Sequence, residues 1–203
     1  MDVKHLLTAL ALAAMAPWCA HSASATVIEL HAPLLGSGEV PPNASPASGF
    51  AELLLDPTGN TLEIDITFSG LLGTTTASHI HCCLLAPFDS ANAPVATTVP
   101  TFVGFPFGVT SGTYHTILDL ALASSYNPSF LNNATNMGVI ANAEATLVDA
   151  LLTDRTYLNI HTTVFPGGEI RGILQVPEPT TLALLALGAG AAVMARKRSR
   201  PRS

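Results

Sequence analysis

The chain has 203 residues, of which 11% are charged, and a formal net charge of −6 at pH 7. The charge is unevenly distributed: residues 26–175 contain twelve acidic residues and only two basic ones, Arg155 and Arg171, so this region carries −10. A surface of this sign repels phosphate backbones, which excludes a nucleic-acid-binding protein, and the lack of lysine in the region excludes a Schiff-base nucleophile.

The beginning of the chain has the organisation of a secretory signal peptide. Lys4 precedes an apolar run over residues 6–16, and the small residues Ala23 and Ala25 occupy the −3 and −1 positions of a cleavage site. A buried N-terminal helix is the alternative, but it does not account for this order of segments. We therefore predict that residues 1–25 are a signal peptide removed after Ala25, which places the mature chain in an oxidising compartment.

The region that follows predicts a single β-rich domain. Its clearest strand is 62–68, where apolar and polar residues alternate, and the turn at 56–60 joins it to a strand at 48–55. Further strands are predicted at 26–31, 78–83, 113–120, 156–162 and 169–176, an irregular edge at 34–42 and a long loop at 84–109. We predict one helix at 141–152, with Ala141, Ala145, Val148 and Leu152 on its buried side. This pattern favours a mainly β fold, an antiparallel β-sandwich or barrel with one short helix.

The segment 78–83 carries two histidines and two adjacent cysteines. Side chains alternate between the faces of a strand, so His79, His81 and Cys83 share one face and Cys82 faces the other way. The adjacent cysteines can form a ring disulfide, pair with another chain, or stay reduced and bind a metal. A disulfide between neighbours distorts the backbone and would end the regular strand.

Polar residues also alternate with apolar ones in the last two predicted strands. If the apolar residues face the core, six polar side chains share the opposite face of the sheet. They are His79, His81, Asn159, His161, Glu169 and Arg171.

One interpretation of this polar face is a metal site. His79 and His81 would bind copper or zinc together with His161 from a neighbouring strand, with Cys83 as a further candidate, leaving one coordination position open. The His-x-His pattern is similar to the metal-bearing strand of copper–zinc superoxide dismutases, although the other motifs of that family are missing.

The other interpretation, which we favour, is a structural network that fixes the strand register. In it a histidine bonds to Glu169 or to the backbone, and Glu169 pairs with Arg171 or another charge. The chain contains no Gly-x-Ser-x-Gly elbow, phosphate-binding loop, Cys-x-x-Cys pair or His-Glu-x-x-His motif. We therefore predict no cofactor and no catalytic residue.

The end of the chain stands apart from the domain. Pro177, Glu178 and Pro179 precede an apolar run at 180–195 and a basic tail at 196–202, which predicts a short transmembrane helix with its tail in the cytoplasm. This arrangement resembles the PEP-CTERM sorting signal of Gram-negative bacteria that make an exopolysaccharide matrix. The resemblance implies export, transient anchoring in the inner membrane, and processing near these three residues by an exosortase-type enzyme.

Three motifs carry a second resemblance. They are Gly-Glu-Val-Pro-Pro at 38–42, Ala-Ser-His-Ile-His at 77–81, and the pair at 157–162 and 168–172. In this order they resemble the CHRD domain, named after repeats in chordin, and the resemblance spans about 26–176. It implies an extracellular module and provides no catalytic residue.

Together these observations predict a signal peptide at 1–25, a CHRD-like domain at 26–175 and a sorting and anchor segment at 176–203. The expected protein is not an enzyme. It is an exported binding or structural module of the cell envelope or extracellular matrix, whose partner is an envelope polysaccharide or protein. The alternative function is that of a metal-binding protein or metalloenzyme that uses the histidine cluster.

Overall fold

The computed structural model describes residues 26–88 and 90–177. The signal peptide with its cleavage site at Ala25, the sorting residues Glu178 and Pro179, and the apolar run at 180–195 lie outside these residues. Within the described ranges, no helix is both long and apolar enough to cross a membrane.

Seven antiparallel strands form one sheet that is curled into a half-barrel. The strands are β1 (Ile28–Leu35), β2 (Ser48–Asp56), β3 (Thr61–Ser69), β4 (Thr75–Cys82), β5 (Gly112–Asp119), β6 (Thr156–Thr162) and β7 (Ile170–Ile173). Their order across the sheet is β4-β6-β7-β1-β2-β3-β5. The helices are α1 (Pro128–Leu131) and α2 (Ile140–Leu151), with short 3-10 turns at Gly36–Gly38 and Ala123–Ser125. The prediction of a mainly β, antiparallel fold is confirmed, and all seven strands belong to one curled sheet rather than to the two sheets of a sandwich.

The hairpin of β2 and β3 shows how the sequence pattern produces the sheet. Leu62 and Ile64 are fully buried, and the polar residues between and after them face away from the core. The turn is stabilised by Asp56, whose Oδ1 accepts hydrogen bonds of 2.9 Å from the backbone N–H groups of Thr58 and Gly59. Alternation and turn chemistry therefore agree, and β2 and β3 lie where they are predicted.

The helix α2 has the predicted position, but the predicted buried side is wrong. Ala141, Ala145 and Leu152 are exposed. The buried residues are Ala143, Leu147, Ala150 and Leu151. The segment carries small or apolar residues on several sides, so its sequence allows more than one amphipathic stripe, and contact with the core selects one of them.

Two predicted strands end three or more residues away from their predicted last residue. β1 extends to Leu35 instead of ending at His31, because it pairs with β2 along its whole length. The last strand is shorter than predicted: β7 ends at Ile173, and Glu169 lies before it. A single bridge between His31 and Gln175 continues the contact beyond the strand.

The long segment between β4 and β5 lies along the outer edge of β4. The backbone N–H of Cys82 donates to the carbonyl of Pro94 (2.9 Å), and that of Phe102 donates to the carbonyl of Ser78 (3.2 Å). On its other side, the Phe102 ring stacks on Tyr114 of β5, with centroids 5.9 Å apart. This segment therefore fills the gap between the two edge strands of the half-barrel.

The carboxylate of Glu169 accepts hydrogen bonds from three separate parts of the chain. Its Oε1 accepts from Ser45 Oγ (2.7 Å) and from the N–H of Leu72 (2.6 Å), and its Oε2 from Thr162 Oγ1 (2.7 Å) and the N–H of Gly73 (3.2 Å). Burial opposes ionisation, but the four hydrogen bonds outweigh it and lower the pKa of Glu169. The ionised side chain therefore fixes the position of the chain before β7.

We predict that Glu169→Gln lowers the free energy of unfolding by about 2–4 kcal/mol at pH 7, because an amide group would face hydrogen-bond donors. The pKa of the wild-type carboxyl is lowered by folding, so its contribution is lost as the pH falls through the folded-state pKa, and the two proteins converge in acid. Urea denaturation measures this difference. Glu52→Gln, on the exposed side of β2, is the control and should change stability by less than about 0.5 kcal/mol; equal effects of the two variants would contradict the prediction.

Candidate metal centre

Three histidines converge on the face of β4 and β6 that points away from the core. His79 and His81 alternate with Ile80, which is fully buried in the core, and the strand pairing places His79 opposite Asn159. The ring centroids of His79 and His161 are 5.3 Å apart, those of His79 and His81 5.8 Å, and those of His81 and His161 6.1 Å. One nitrogen of each ring lies within 4.8 Å of the other two.

Each of the three imidazoles is held by one backbone carbonyl. A carbonyl can only accept, so the ring nitrogen that faces it carries the proton and donates. The three contacts run from His79 Nε2 to Pro100 (2.6 Å), from His81 Nδ1 to Ala93 (2.8 Å) and from His161 Nδ1 to Pro166 (2.8 Å). These carbonyls therefore determine which nitrogen of each ring keeps a lone pair.

The second nitrogen of each ring is buried and has no hydrogen-bond partner among the described residues. These atoms are His79 Nδ1, His81 Nε2 and His161 Nε2. A buried acceptor without a partner costs about 1–3 kcal/mol, and native proteins rarely leave several together. A metal ion among the rings would satisfy all three, and a histidine ligand normally donates its other N–H to a group such as a backbone carbonyl.

The protonation state of the rings also suits a metal. Burial lowers the pKa of His81 to about 4, and although the carbonyl of Ala93 opposes this, the neighbouring rings and the charge of Arg171 lower the pKa further. Burial likewise lowers the pKa of His79 and of His161 against the effect of their carbonyl partners. All three rings are therefore neutral near pH 7, the form in which imidazole binds metal ions.

A stack of planar groups holds one side of the cluster. The His81 ring lies parallel to the Tyr157 ring, with centroids 4.5 Å apart and an interplanar angle of 9°. The guanidinium carbon of Arg171 lies 3.5 Å from the Tyr157 centroid, a cation–π contact, and Arg171 donates to Asn92 Oδ1 and to the carbonyl of Ala91, both at 2.9 Å. This stack restricts the orientation of the His81 ring.

The structure brings together five of the six residues predicted to share the polar face. They are His79, His81, Asn159, His161 and Arg171. Glu169 is not among them, because it precedes β7 and turns toward Thr162, which lies on the core-facing side of β6. Its expected pairing with a histidine or with Arg171 is therefore wrong, whereas the expected bonding of histidines to the backbone is present.

The adjacent cysteines form a disulfide, one of the three alternatives for them, and the peptide bond between them is cis. Cys82 is the last residue of β4, and Cys83 packs against the hydrophobic core. The sulfur of Cys83 is bonded to that of Cys82, so in this state Cys83 does not join the histidines as a ligand.

Glu39 is a member of this face that the sequence analysis did not single out, although it belongs to the quoted motif at 38–42. Its side chain is 5% exposed. Burial raises the pKa of Glu39 to about 7, although the charge of Arg171 and the amide of Asn159 oppose the shift. The backbone of Gly168, with a φ of +131°, passes so close that a Cβ there would collide with the Glu39 carboxyl. The only sequence signal for Glu39 is that it is an acidic residue within a Gly- and Pro-rich segment.

Unsatisfied polar atoms are concentrated on this face. Seven buried side-chain atoms have no hydrogen-bond partner among the described residues, and of these Thr156 Oγ1 lies outside this face. The others are Glu39 Oε1, His79 Nδ1, His81 Nε2, Asn159 Oδ1, His161 Nε2 and Arg171 Nε. Six of the seven buried side-chain atoms that lack a partner among the described residues therefore lie on this one face.

Comparison with known proteins gives two matches, both to protein families. The family model for the CHRD domain matches residues 30–174. The family model for the PEP-CTERM protein-sorting motif matches residues 175–199. No curated protein and no solved structure matches the chain.

Glu39 gives a prediction with a defined sign. Its pKa in the folded protein lies above that of a free carboxyl, so its contribution to stability falls as the pH rises from about 4.5 through about 7. Glu39→Gln should therefore raise the free energy of unfolding above the wild-type value by about 1–3 kcal/mol at pH 8, with no difference below about pH 4.5. Urea titrations across this range test it, with Asp154→Asn as the control, because no hydrogen bond or ion pair is found for the Asp154 carboxylate among the described residues. A Glu39→Gln difference that does not vary with pH would refute the assignment.

Proposed function

The chain belongs to the CHRD domain family, and we propose that it is an exported envelope protein whose CHRD domain binds one transition-metal ion through His79, His81 and His161. The PEP-CTERM motif supports export, a cell-envelope location and processing by an exosortase-type enzyme. The CHRD domain is not a known enzyme family, so the proposed role is binding rather than catalysis.

The observation that carries the proposal is the convergence of three unpaired ring nitrogens. Bonds of about 2.0–2.1 Å from zinc to histidine separate tetrahedral ligands by about 3.4 Å. One nitrogen of each ring lies within 4.8 Å of the other two, so a small inward movement of the rings brings three ligand atoms to the spacing that an ion requires. The three backbone carbonyls fix the tautomer and orientation of the rings, as in metal sites where the second nitrogen of a histidine ligand donates to a backbone carbonyl.

The ligand types indicate which ions fit. In the described part of the chain, neither a carboxylate nor a thiolate belongs to this group of ligands. Calcium and magnesium require oxygen ligands, whereas neutral imidazole suits copper and zinc. With three protein ligands, an ion of either metal keeps one position for a further ligand.

A second candidate function is binding to a polysaccharide or a protein of the envelope, or a structural role in the matrix. The sorting motif supports it, because the motif directs the domain to the compartment that contains these partners. The strongly acidic domain, with twelve acidic and two basic residues, favours a neutral or cationic surface as the partner.

The metal proposal is tested by elemental analysis of the exported protein. We expect about one copper or zinc ion per chain, and a loss of affinity of at least about 100-fold in His79→Ala and in His161→Ala, because each variant removes one of three ligands. The metal should also raise the unfolding temperature of the wild type. His115→Ala is the matched control, because His115 forms an exposed group of possible ligands with Glu63 and Asp65, and an unchanged affinity in this variant assigns the ion to the buried histidines. Folded protein that takes up neither ion would refute the proposal.

The second function is tested by capture of native envelope components on the immobilised protein. We expect the wild type and the doubly substituted His79→Ala/His161→Ala protein to retain the same polysaccharide or protein if binding is independent of the metal. If neither protein captures an envelope component, this function is contradicted. If only the metal-loaded wild type does so, binding of the envelope component depends on the metal.

A further inference from the structure

The proposed metal centre is covered, which raises the question of how an ion reaches it. The segment that contains Ala93 and Pro100 bonds to the edge of β4 and closes the side of His79 and His81. Both of these histidines are buried, whereas His161 is only half-buried. The His161 side is therefore the least protected approach.

A pocket lies on that side. It has a volume of about 410 Å³ and lies between residues 39–43 and 164–168, with Asn92 at its wall. Pro166 links the pocket to the metal centre, because it lines the pocket and its carbonyl accepts the hydrogen bond from His161. The 164–168 loop is therefore shared by the pocket and by the hydrogen bond that orients His161.

Glu39 is the acidic residue in the lining of this pocket. Its carboxyl is nearly enclosed, and Oε1 has no hydrogen-bond partner among the described residues. It neighbours the amide of Asn159, which lies opposite His79 on β4 and two residues from His161 on β6. Glu39 does not belong to the group of three ligands, so its place is beside the centre rather than in it.

We propose that this pocket is the access route of the metal ion and that Glu39 is its first ligand, which passes the ion to His161. The inference rests on the proposed function. On arrival, the divalent ion replaces the proton of the Glu39 carboxyl, which leaves to solvent. When the ion moves to the three ring nitrogens, Glu39 takes up a proton again, and the oxidation state of the ion does not change.

The chemistry of the pocket supports this order. A carboxylate attracts divalent ions and exchanges them readily, whereas three neutral imidazoles in a buried site hold them more selectively. The domain carries twelve acidic and two basic residues, which raises the local concentration of cations near the pocket. Arg171 reaches the wall of the pocket, where its guanidinium donates to Asn92, and its positive charge favours the ionised form of Glu39 that binds a cation.

The test compares rates with equilibria, using Co²⁺ as the probe because its visible absorption reports coordination. In stopped-flow mixing with the metal-free chain, Glu39→Gln should slow uptake by about 10-fold. A residue on the route but absent from the loaded site changes uptake and release equally, so the dissociation constant should stay within about 2-fold of the wild type. Asp154→Asn, which replaces an acidic residue outside this pocket and outside the groups of possible metal ligands, should leave both rates unchanged.

A second variant tests the route without touching Glu39. Gly167 lines the pocket and has free space where a Cβ would be placed, so Gly167→Phe can fold and should obstruct the pocket. It too should slow uptake and release together. Wild-type rates in both variants would overturn the access route, and a weakened equilibrium in Glu39→Gln with unchanged uptake would instead make Glu39 a ligand of the loaded site. If the wild type binds no Co²⁺, copper or zinc at equilibrium, the proposed function fails, and this inference fails with it.

Discussion

The hydrogen bonds from three imidazoles to three backbone carbonyls determine the chemistry of this domain's outer face. Each carbonyl selects the protonated nitrogen of its ring and turns the other nitrogen inward. Two of the carbonyls, at Ala93 and Pro100, belong to the segment that pairs with the edge of β4, and the third, at Pro166, belongs to the loop before β7. The contacts that complete the sheet edge therefore also orient the proposed ligands, so the two cannot change independently.

Two buried glutamates show that hydrogen bonding determines whether a buried carboxyl group is ionised. Glu169 is fully buried, yet four donors lower its pKa and keep it ionised as a structural tie. Glu39 is similarly enclosed, but the Asn159 amide and the charge of Arg171 do not outweigh burial, which raises its pKa to about 7. The first is committed to the fold, whereas the second gains and loses a proton near neutral pH. A buried acidic residue is therefore a candidate for function only after its donors have been identified.

Strand alternation predicted much of this architecture from sequence. It placed β2, β3 and β6, and it put His79, His81, Asn159, His161 and Arg171 on one face, because a period of two residues leaves little freedom once the apolar side is known. The prediction that Glu169 shares this face was wrong because Glu169 precedes β7, where the alternation of a strand no longer determines the direction of its side chain. The buried side of α2 was missed because several sides of that helix are apolar. The carbonyl partners and Glu39 lie in irregular segments, whose paths depend on contacts that are distant in the chain.

The strand order has a consequence for where and when a metal could be acquired. β4 pairs with β6 across most of the domain, as in the bond from Ser78 Oγ to the carbonyl of Asn159, 81 positions later. His79 and His81 precede His161 in the chain by about 80 residues, so during synthesis they are present well before the third histidine is made. The proposed centre is thus assembled only by the completed fold, so the compartment in which folding finishes, rather than the one in which synthesis occurs, would decide which metal ions reach it.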